Sequence, residues 1–162
     1  MTTMIRVKLL ITAGLLILAF SILLSDRAIP NSENLYDLKR LQEKIFMAVK
    51  TNPRDKKDYY DILLDKRLKE LVAIVENGQY DYVLTSSLRY STTAGRLTEL
   101  IIDHQIKDSI SATQNKFREH QETIKKLASS YPSDENERGK FIQDDFNYLE
   151  IYLSQLADAA AK

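Results

Sequence analysis

Lys8 and Asp26 bracket seventeen residues without a charge, LLITAGLLILAFSILLS, and eleven of these are Leu, Ile or Phe. A membrane-spanning helix needs about 20 apolar residues, with roughly 17 as the lower limit. Met4, Ile5 and Val7 extend the run on its amino-terminal side, where Arg6 and Lys8 can snorkel to the headgroups. At roughly −0.5 kcal/mol per central Leu, Ile or Phe, eleven such residues contribute about −5 kcal/mol to insertion. Thr12, Gly14, Ser21 and Ser25 return part of it. The expectation is a transmembrane anchor over 9–25, after a short cytoplasmic start at 1–8.

A cleaved signal peptide begins the same way, with basic residues before an apolar run. Cleavage wants small residues one and three positions before the cut. A cut after Ala28 places Asp26 and Arg27 there, and a cut after Ser25 leaves Leu23 at the third position back. Both are poor sites, which favours the uncleaved anchor; a secreted helical protein is the alternative. The chain has no cysteine, so a lipoprotein anchor, a disulfide framework and a thiolate metal site are all excluded. Two basic residues precede the run and only Arg27 follows closely. That bias puts the amino terminus in the cytoplasm and the bulk of the chain outside it.

The 137 residues from Asp26 onward match the size of one domain. Without Arg6 and Lys8 they hold 21 basic residues against 23 acidic, a net charge of −2. No basic excess points to nucleic acid. Only four Gly and three Pro occur in the whole chain, and there is no strand-and-turn rhythm. The expected fold is all-α: an elongated bundle of about four helices beyond the anchor.

Pro30 closes an exit linker at 26–31, and Ser32 is a fair cap for a helix over 32–50. Leu35, Leu38, Leu41, Ile45 and Val49 recur at spacings of three and four, with Phe46 beside them. Asn52 and Pro53 start a second helix over 53–76, which Asn77-Gly78 ends. Its stripe is Tyr60, Leu64, Leu68, Leu71 and Val75, and its short connector makes it the antiparallel partner of the first. From Tyr80 no proline occurs until Pro132, so one long helix over 80–128 is expected, shared by two hairpins. Val83, Leu84, Leu88, Leu97, Leu100 and Ile101 form its first stripe. Ile106, Ile110, Phe117, Ile124 and Leu127 form a second, with Thr113 and His120 completing a seven-residue repeat. Gly95 marks either a kink or a close approach of a neighbouring helix. The last helix, over 133–160, presents Phe141, Tyr148, Leu149, Tyr152, Leu156 and Ala160 and folds back along 103–128.

Asn34-Leu35-Tyr36-Asp37-Leu38-Lys39-Arg40 after Pro30 and Ser32, the breaker Asn52-Pro53, then Lys66-Arg67-Leu68-Lys69-Glu70-Leu71 and the Asn77-Gly78 turn form a recurring pattern. It resembles the bacterial domain-of-unknown-function family 5667 over roughly 29–100. The resemblance implies a helical segment placed just after a membrane helix, sometimes in proteins that resemble anti-sigma factors. It carries no catalytic residues. The eight residues before the anchor leave no room for the cytoplasmic domain that an anti-sigma factor needs.

Tyr36, Arg40, Arg67 and Glu70 of that pattern stand beside the seams of their helices. Arg40 and Arg67 can reach Asp37, Glu43, Asp65 or Glu70, and the plain reading is a set of locks between helices, each worth little when exposed. Tyr59, Tyr80, Tyr82 and Tyr148 can form a recognition patch, or serve as core aromatics. His104 and His120 stand sixteen residues apart, about 24 Å on a straight helix, too far to share a metal. His104 with Asp108, and Asp144-Asp145 with Glu150, are weak cation arrangements without a calcium-loop pattern. No nucleophile–base motif and no phosphate loop occurs. No catalytic activity, cofactor or metal is therefore expected. Residues 35–72 hold ten basic and seven acidic residues, while 131–162 hold three and seven. The two ends can attract one another between copies.

The expected function is that of a membrane-anchored, extracytoplasmic helical protein that binds another envelope protein, or itself, as scaffold, adaptor or regulator. Its contact with the bilayer is through residues 9–25. The alternative is a small-ligand sensor bundle that binds between helices.

Overall fold

The computed structural model describes residues 33–132 and 136–161. The expected anchor at 9–25 and the linker at 26–31 lie outside the described residues, as does the side chain of Tyr36. Among the described residues the chain is all-helical, with no strand. It divides into two units, 1–49 and 50–162.

Of the first unit, the described part is α1, Glu33–Val49. It is strongly amphipathic, as its spacing predicts. Leu38 is half-buried, whereas Leu41, Ile45 and Val49 are 55%, 54% and 69% exposed. Phe46 is 43% exposed beside them.

The second unit contains four helices: α2 (Pro53–Glu76), α3 (Val83–Asp103), α4 (Ile110–Ser130) and α5 (Asn136–Ala160). Helix α2 starts as its sequence dictates. Asn52 holds extended backbone, its Oδ1 accepts the Arg54 N–H at 2.9 Å, and Pro53 fills the first turn where no N–H is needed. It ends in a Schellman motif: Gln79 N–H donates to the Ile74 carbonyl and Gly78 N–H to that of Val75. Gly78 takes φ +68°, which costs glycine nothing.

The expected single helix over 80–128 is two helices. The chain leaves α3 at His104 and re-enters helix at Ile110, after a 3-10 turn over Lys107–Ser109. The hydrogen bonds repeat those at the end of α2. Ile106 N–H donates to the Ile101 carbonyl and Gln105 N–H to that of Ile102, with Gln105 at φ +52°. The first turn also has a 3-10 segment, Tyr80–Tyr82, before α3. One connector is thus used twice, 27 positions apart. The five-residue step from Ile101 to Ile106 is a reversal of the chain. At Gly95 the helix continues, and the close-approach reading holds: a Cβ there would stand 2.8 Å from Tyr152 Oη on α5.

Cross-helix contacts give the arrangement. Asp61 and Asp65 of α2 meet Lys116 and His120 of α4 in the same order, so those helices are parallel. Ser87 and Gly95 of α3 meet Phe141 and Tyr152 of α5, so those two are parallel as well. Gln114 and Gln121 of α4 reach the carbonyls of Leu153 and Phe146 in reversed order, making α4 and α5 antiparallel. The closest packing runs α2–α3–α5–α4, while α2 and α4 touch sparsely. Consecutive helices α3 and α4 therefore stand across the core from each other, and α5 packs on both.

The core carries Leu64, Leu71 and Ile74 from α2, Tyr90, Leu97 and Ile101 from α3, Phe117 and Ile124 from α4, and Ile142, Leu149 and Leu156 from α5. The stripes read on α2 and α4 are the buried ones, apart from half-buried Tyr60. On α3 the phase differs: Leu84 and Leu88 are exposed, while Ser86, Ser87, Ser91, Thr93 and Thr98 face inward. Three of those hydroxyls, on Ser91, Thr93 and Thr98, donate to the carbonyl four residues back, so they enter the core already hydrogen-bonded.

Candidate functional site

The sparse α2–α4 seam holds a polar ladder that ends in the core. At the end furthest along the ladder from the core, Lys57 Nζ lies 2.6 Å from Asp61 Oδ2, one helical turn away on α2. Lys116 of α4 sits between the two carboxylates of α2, 3.7 Å from Asp61 Oδ1 and 2.9 Å from Asp65 Oδ2. Its ammonium also donates to the Asp61 carbonyl at 3.3 Å. Asp65 Oδ1 then lies 3.1 Å from His120 Nε2, and His120 Nδ1 lies 3.0 Å from the hydroxyl of Tyr90, which is fully buried on α3. Five side chains from α2 and α4 thus connect to one phenol in the bundle centre.

Chemistry fixes the direction of each hydrogen bond. Burial pushes the Tyr90 phenol well above its ordinary value, helped by the negative charge of Asp145 and Asp65, so it keeps its proton. Tyr90 therefore donates to His120 Nδ1. The ring carries its hydrogen on Nε2 and donates that to Asp65. Burial lowers the His120 pKa, the charge of Asp65 opposes this, and Lys116 adds to the lowering. The imidazole is accordingly neutral at pH 7. Such an arrangement ties three helices together, with Tyr90 and His120 buried and the side chains of Lys116 and Asp65 25% and 43% exposed. From Asp65 inward each group has a hydrogen-bond partner, which favours one packing of the core, whereas Asp61 Oδ1 is buried without one.

A second polar group lies across the bundle. Asp145 of α5 is 1% exposed, and neither carboxyl oxygen has a hydrogen-bond partner. Burial raises its pKa to about 8; the neighbouring hydroxyls of Ser87 and Ser91 oppose that rise and Asp144 adds to it. Those two hydroxyls donate to backbone carbonyls, Ser87 to Phe141 at 2.9 Å and Ser91 to Ser87 at 3.1 Å. Asp145 is thus a neutral carboxylic acid at pH 7, wedged between α3 and α5.

The residues singled out from sequence fall in several places. Arg67 Nη1 donates to the Arg89 carbonyl at 2.9 Å, and Arg89 Nη1 reaches buried Glu70 at 3.2 Å. Both contacts reach α3: Arg67 meets a backbone carbonyl there, and Glu70 meets the guanidinium of Arg89. Arg40 is exposed on α1. Tyr80 packs edge-on against Tyr131, with ring centroids 5.0 Å apart, and Tyr82 is half-buried against the core. Tyr59 is half-buried with the Lys50 ammonium 5.5 Å from its ring centre. Tyr148 is 44% exposed. No single patch gathers these tyrosines. Asp108 pairs with Arg54 at 2.7 Å rather than with His104. Asp144 and Asp145 point apart, one exposed and one buried. Among the described residues no group of three metal-ligating side chains occurs.

Sequence reasoning missed Lys116 and Tyr90, and read Asp145 only as part of a weak cation arrangement with Asp144 and Glu150. The signal for the ladder was present as two matched pairs at spacing four, Asp61 with Asp65 and Lys116 with His120. It becomes legible only once α2 and α4 are known to run parallel.

The family model described as Domain of unknown function (DUF5667) matches residues 27–140. This extends the 29–100 range of the resemblance through α4 and into α5. No curated protein and no solved structure matches the chain significantly.

Proposed function

The chain belongs to the DUF5667 family, and on that premise we propose that it is a membrane-anchored helical module that binds another protein on the far side of the bilayer. The bilayer contact is assigned to residues 9–25. Among the described residues no helix is long and apolar enough to cross a membrane. Orientation follows from Arg6 and Lys8 ahead of the run.

The observation that carries the binding role is the exposed stripe of α1. Leu41, Ile45 and Val49 recur at spacing four, each more than half exposed. A helix offering anchors at this spacing is suited to lie against an apolar groove or a second amphipathic helix. Burying such side chains is favourable by about 1.5–3 kcal/mol each when complete, so three give a useful docking energy before ordering costs are subtracted. The stripe starts within ten residues of the linker after the proposed anchor. Its partner therefore has an apolar helical surface close to the membrane, in the manner of an envelope protein.

Site-directed photocrosslinking from positions 41 and 45 in native membranes tests this reading. Adducts to a second protein, lost when Ile45 is replaced by Glu, support it; adducts confined to the chain's own residues overturn it. The anchor is tested separately. Release of the full-length chain by alkaline carbonate, or resistance of the body to protease added on the extracytoplasmic side, would remove the membrane part.

A further inference from the structure

We propose that the cleft where the α3–α4 turn meets the end of α5 binds a small zwitterionic peptide, of dipeptide size with apolar side chains. The cleft is a cavity of about 450 Å³, within the range of about 300–1,000 Å³ usual for small-molecule sites. Its floor is apolar: Ile101, Ile102 and Ile110, with Ala159 from α5. Around that floor stand two amides, Gln105 and Gln155, and two opposite charges, Lys107 on the turn and Asp158 on α5.

Three observations narrow the ligand. Lys107 and Asp158 are exposed and have no ion-pair partner among the described residues, so the cleft presents one cation and one anion. A molecule with a carboxylate at one end and an ammonium at the other meets both. Gln105 and Gln155 each offer a donor and an acceptor, which is the complement of a peptide group. The isoleucine floor takes apolar side chains, and a purely charged ligand would leave it wet.

The backbone of Gln105 adds independent weight. Gln105 sits at φ +52° in the connector position that Gly78 fills at φ +68° in the earlier turn. A side chain there costs stability relative to glycine, and strain of this kind is found where a side chain is needed for another purpose. Here the side chain lines the cleft and makes no hydrogen bond with any described residue.

The site is independent of the α1 stripe, and its test reads out separately. The full-length chain, labelled at isoleucine methyl groups in detergent micelles, is titrated with L-leucyl-L-leucine. Saturable shifts are expected at Ile101, Ile102 and Ile110, with Ile74 and Ile142 unmoved. Lys107→Gln and Asp158→Asn should each weaken binding about tenfold, the value of a charge-assisted hydrogen bond. Gln105→Gly should raise the melting temperature yet weaken binding, two effects that a purely structural glutamine would not separate. The proposal is overturned if the three methyl groups stay still at millimolar dipeptide. Equal binding of the blocked N-acetyl-leucyl-leucinamide overturns it too, as does unchanged affinity in both charge variants.

Discussion

The hydroxyl of Tyr152 on α5 lies directly over the backbone of Gly95 on α3: a Cβ at position 95 would stand 2.8 Å from Tyr152 Oη and 3.1 Å from Cζ. The phenol of Tyr152 thus fits against α3 where that helix has no side chain. Replacing a helical glycine by alanine ordinarily gains about 1 kcal/mol. Here the added methyl meets the phenol, so Gly95→Ala is expected to lose about 1 kcal/mol instead. Tyr152→Phe alone should be nearly neutral, because its hydroxyl has no partner among the described residues. Combining the two removes the nearest clash and restores at least wild-type stability. Urea unfolding of the four species gives the coupling, and strictly additive values would contradict the packing described.

The two connectors make a second prediction. Gly78 and Gln105 occupy equivalent αL positions, and nothing lies within 4 Å of a Cβ built on Gly78. Gly78→Ala therefore isolates the backbone cost and should destabilise by about 1 kcal/mol. Gln105→Gly should act in reverse, gaining about 0.5–1 kcal/mol. Thermal unfolding monitored by circular dichroism distinguishes these; equal and unsigned effects would mean the connectors are not equivalent.

The same pair explains what was legible in the sequence. The Asn77-Gly78 turn announces itself, because glycine is the residue that φ +68° favours. At the second turn Gln105 stands in the same role, so the sequence shows only a five-residue step between stripes and a long helix is the natural reading. The two stripes on either side were read correctly in α4, where Ile110, Phe117 and Ile124 dominate the buried face. In α3 the reading holds for Val83, Leu97 and Ile101, which are buried, and fails at Leu84 and Leu88. Its inward face is built from small hydroxyl residues such as Ser87, Ser91 and Thr98, while Leu84 and Leu88 point outward. Hydropathy gives no weight to a serine whose hydroxyl is already bonded to its own helix. The burial of Asp145 was not legible for a related reason: a carboxylate on a helix is ordinarily solvated, and only the packing of α3 against α5 buries it and raises its pKa to about 8.

Asp145 gives a pH dependence with a definite sign. Its folded pKa of about 8 lies above the ordinary 3.8. The folded state therefore binds the proton more tightly, and the contribution to stability is fullest below about pH 4. As pH rises from there to about 8, the unfolded chain ionises while the folded one does not. Stability falls by up to about 1.4 kcal/mol per pH unit, several kcal/mol in all, and levels off above pH 8. Asp145→Asn keeps the shape without the titration. It should match wild type near pH 4 and exceed it by several kcal/mol at pH 8, as read by denaturant midpoints across that range. Parallel profiles for the two proteins would show that the carboxyl is not neutral in the fold.

The Tyr90–His120–Asp65 chain acts in the opposite direction. Burial lowers the His120 pKa below 6.5, so the unfolded state binds the proton more readily. The stability it contributes is present above pH 6.5 and is lost as pH falls through the lowered folded value. Protonation also gives Nδ1 a hydrogen of its own, so that Nδ1 can no longer accept from Tyr90 and the phenol must turn its hydrogen elsewhere. Tyr90→Phe leaves that nitrogen buried without a donor, at a cost of about 1–3 kcal/mol. The tautomer is directly observable: nitrogen-15 correlation spectra should show His120 protonated on Nε2 and bare on Nδ1 at pH 7. In Tyr90→Phe the same ring should gain basicity at Nδ1 and titrate at a higher pH than in the parent chain. A ring found with its hydrogen on Nδ1 would reverse the Tyr90–His120 hydrogen bond and leave Asp65 Oδ1 facing a lone pair.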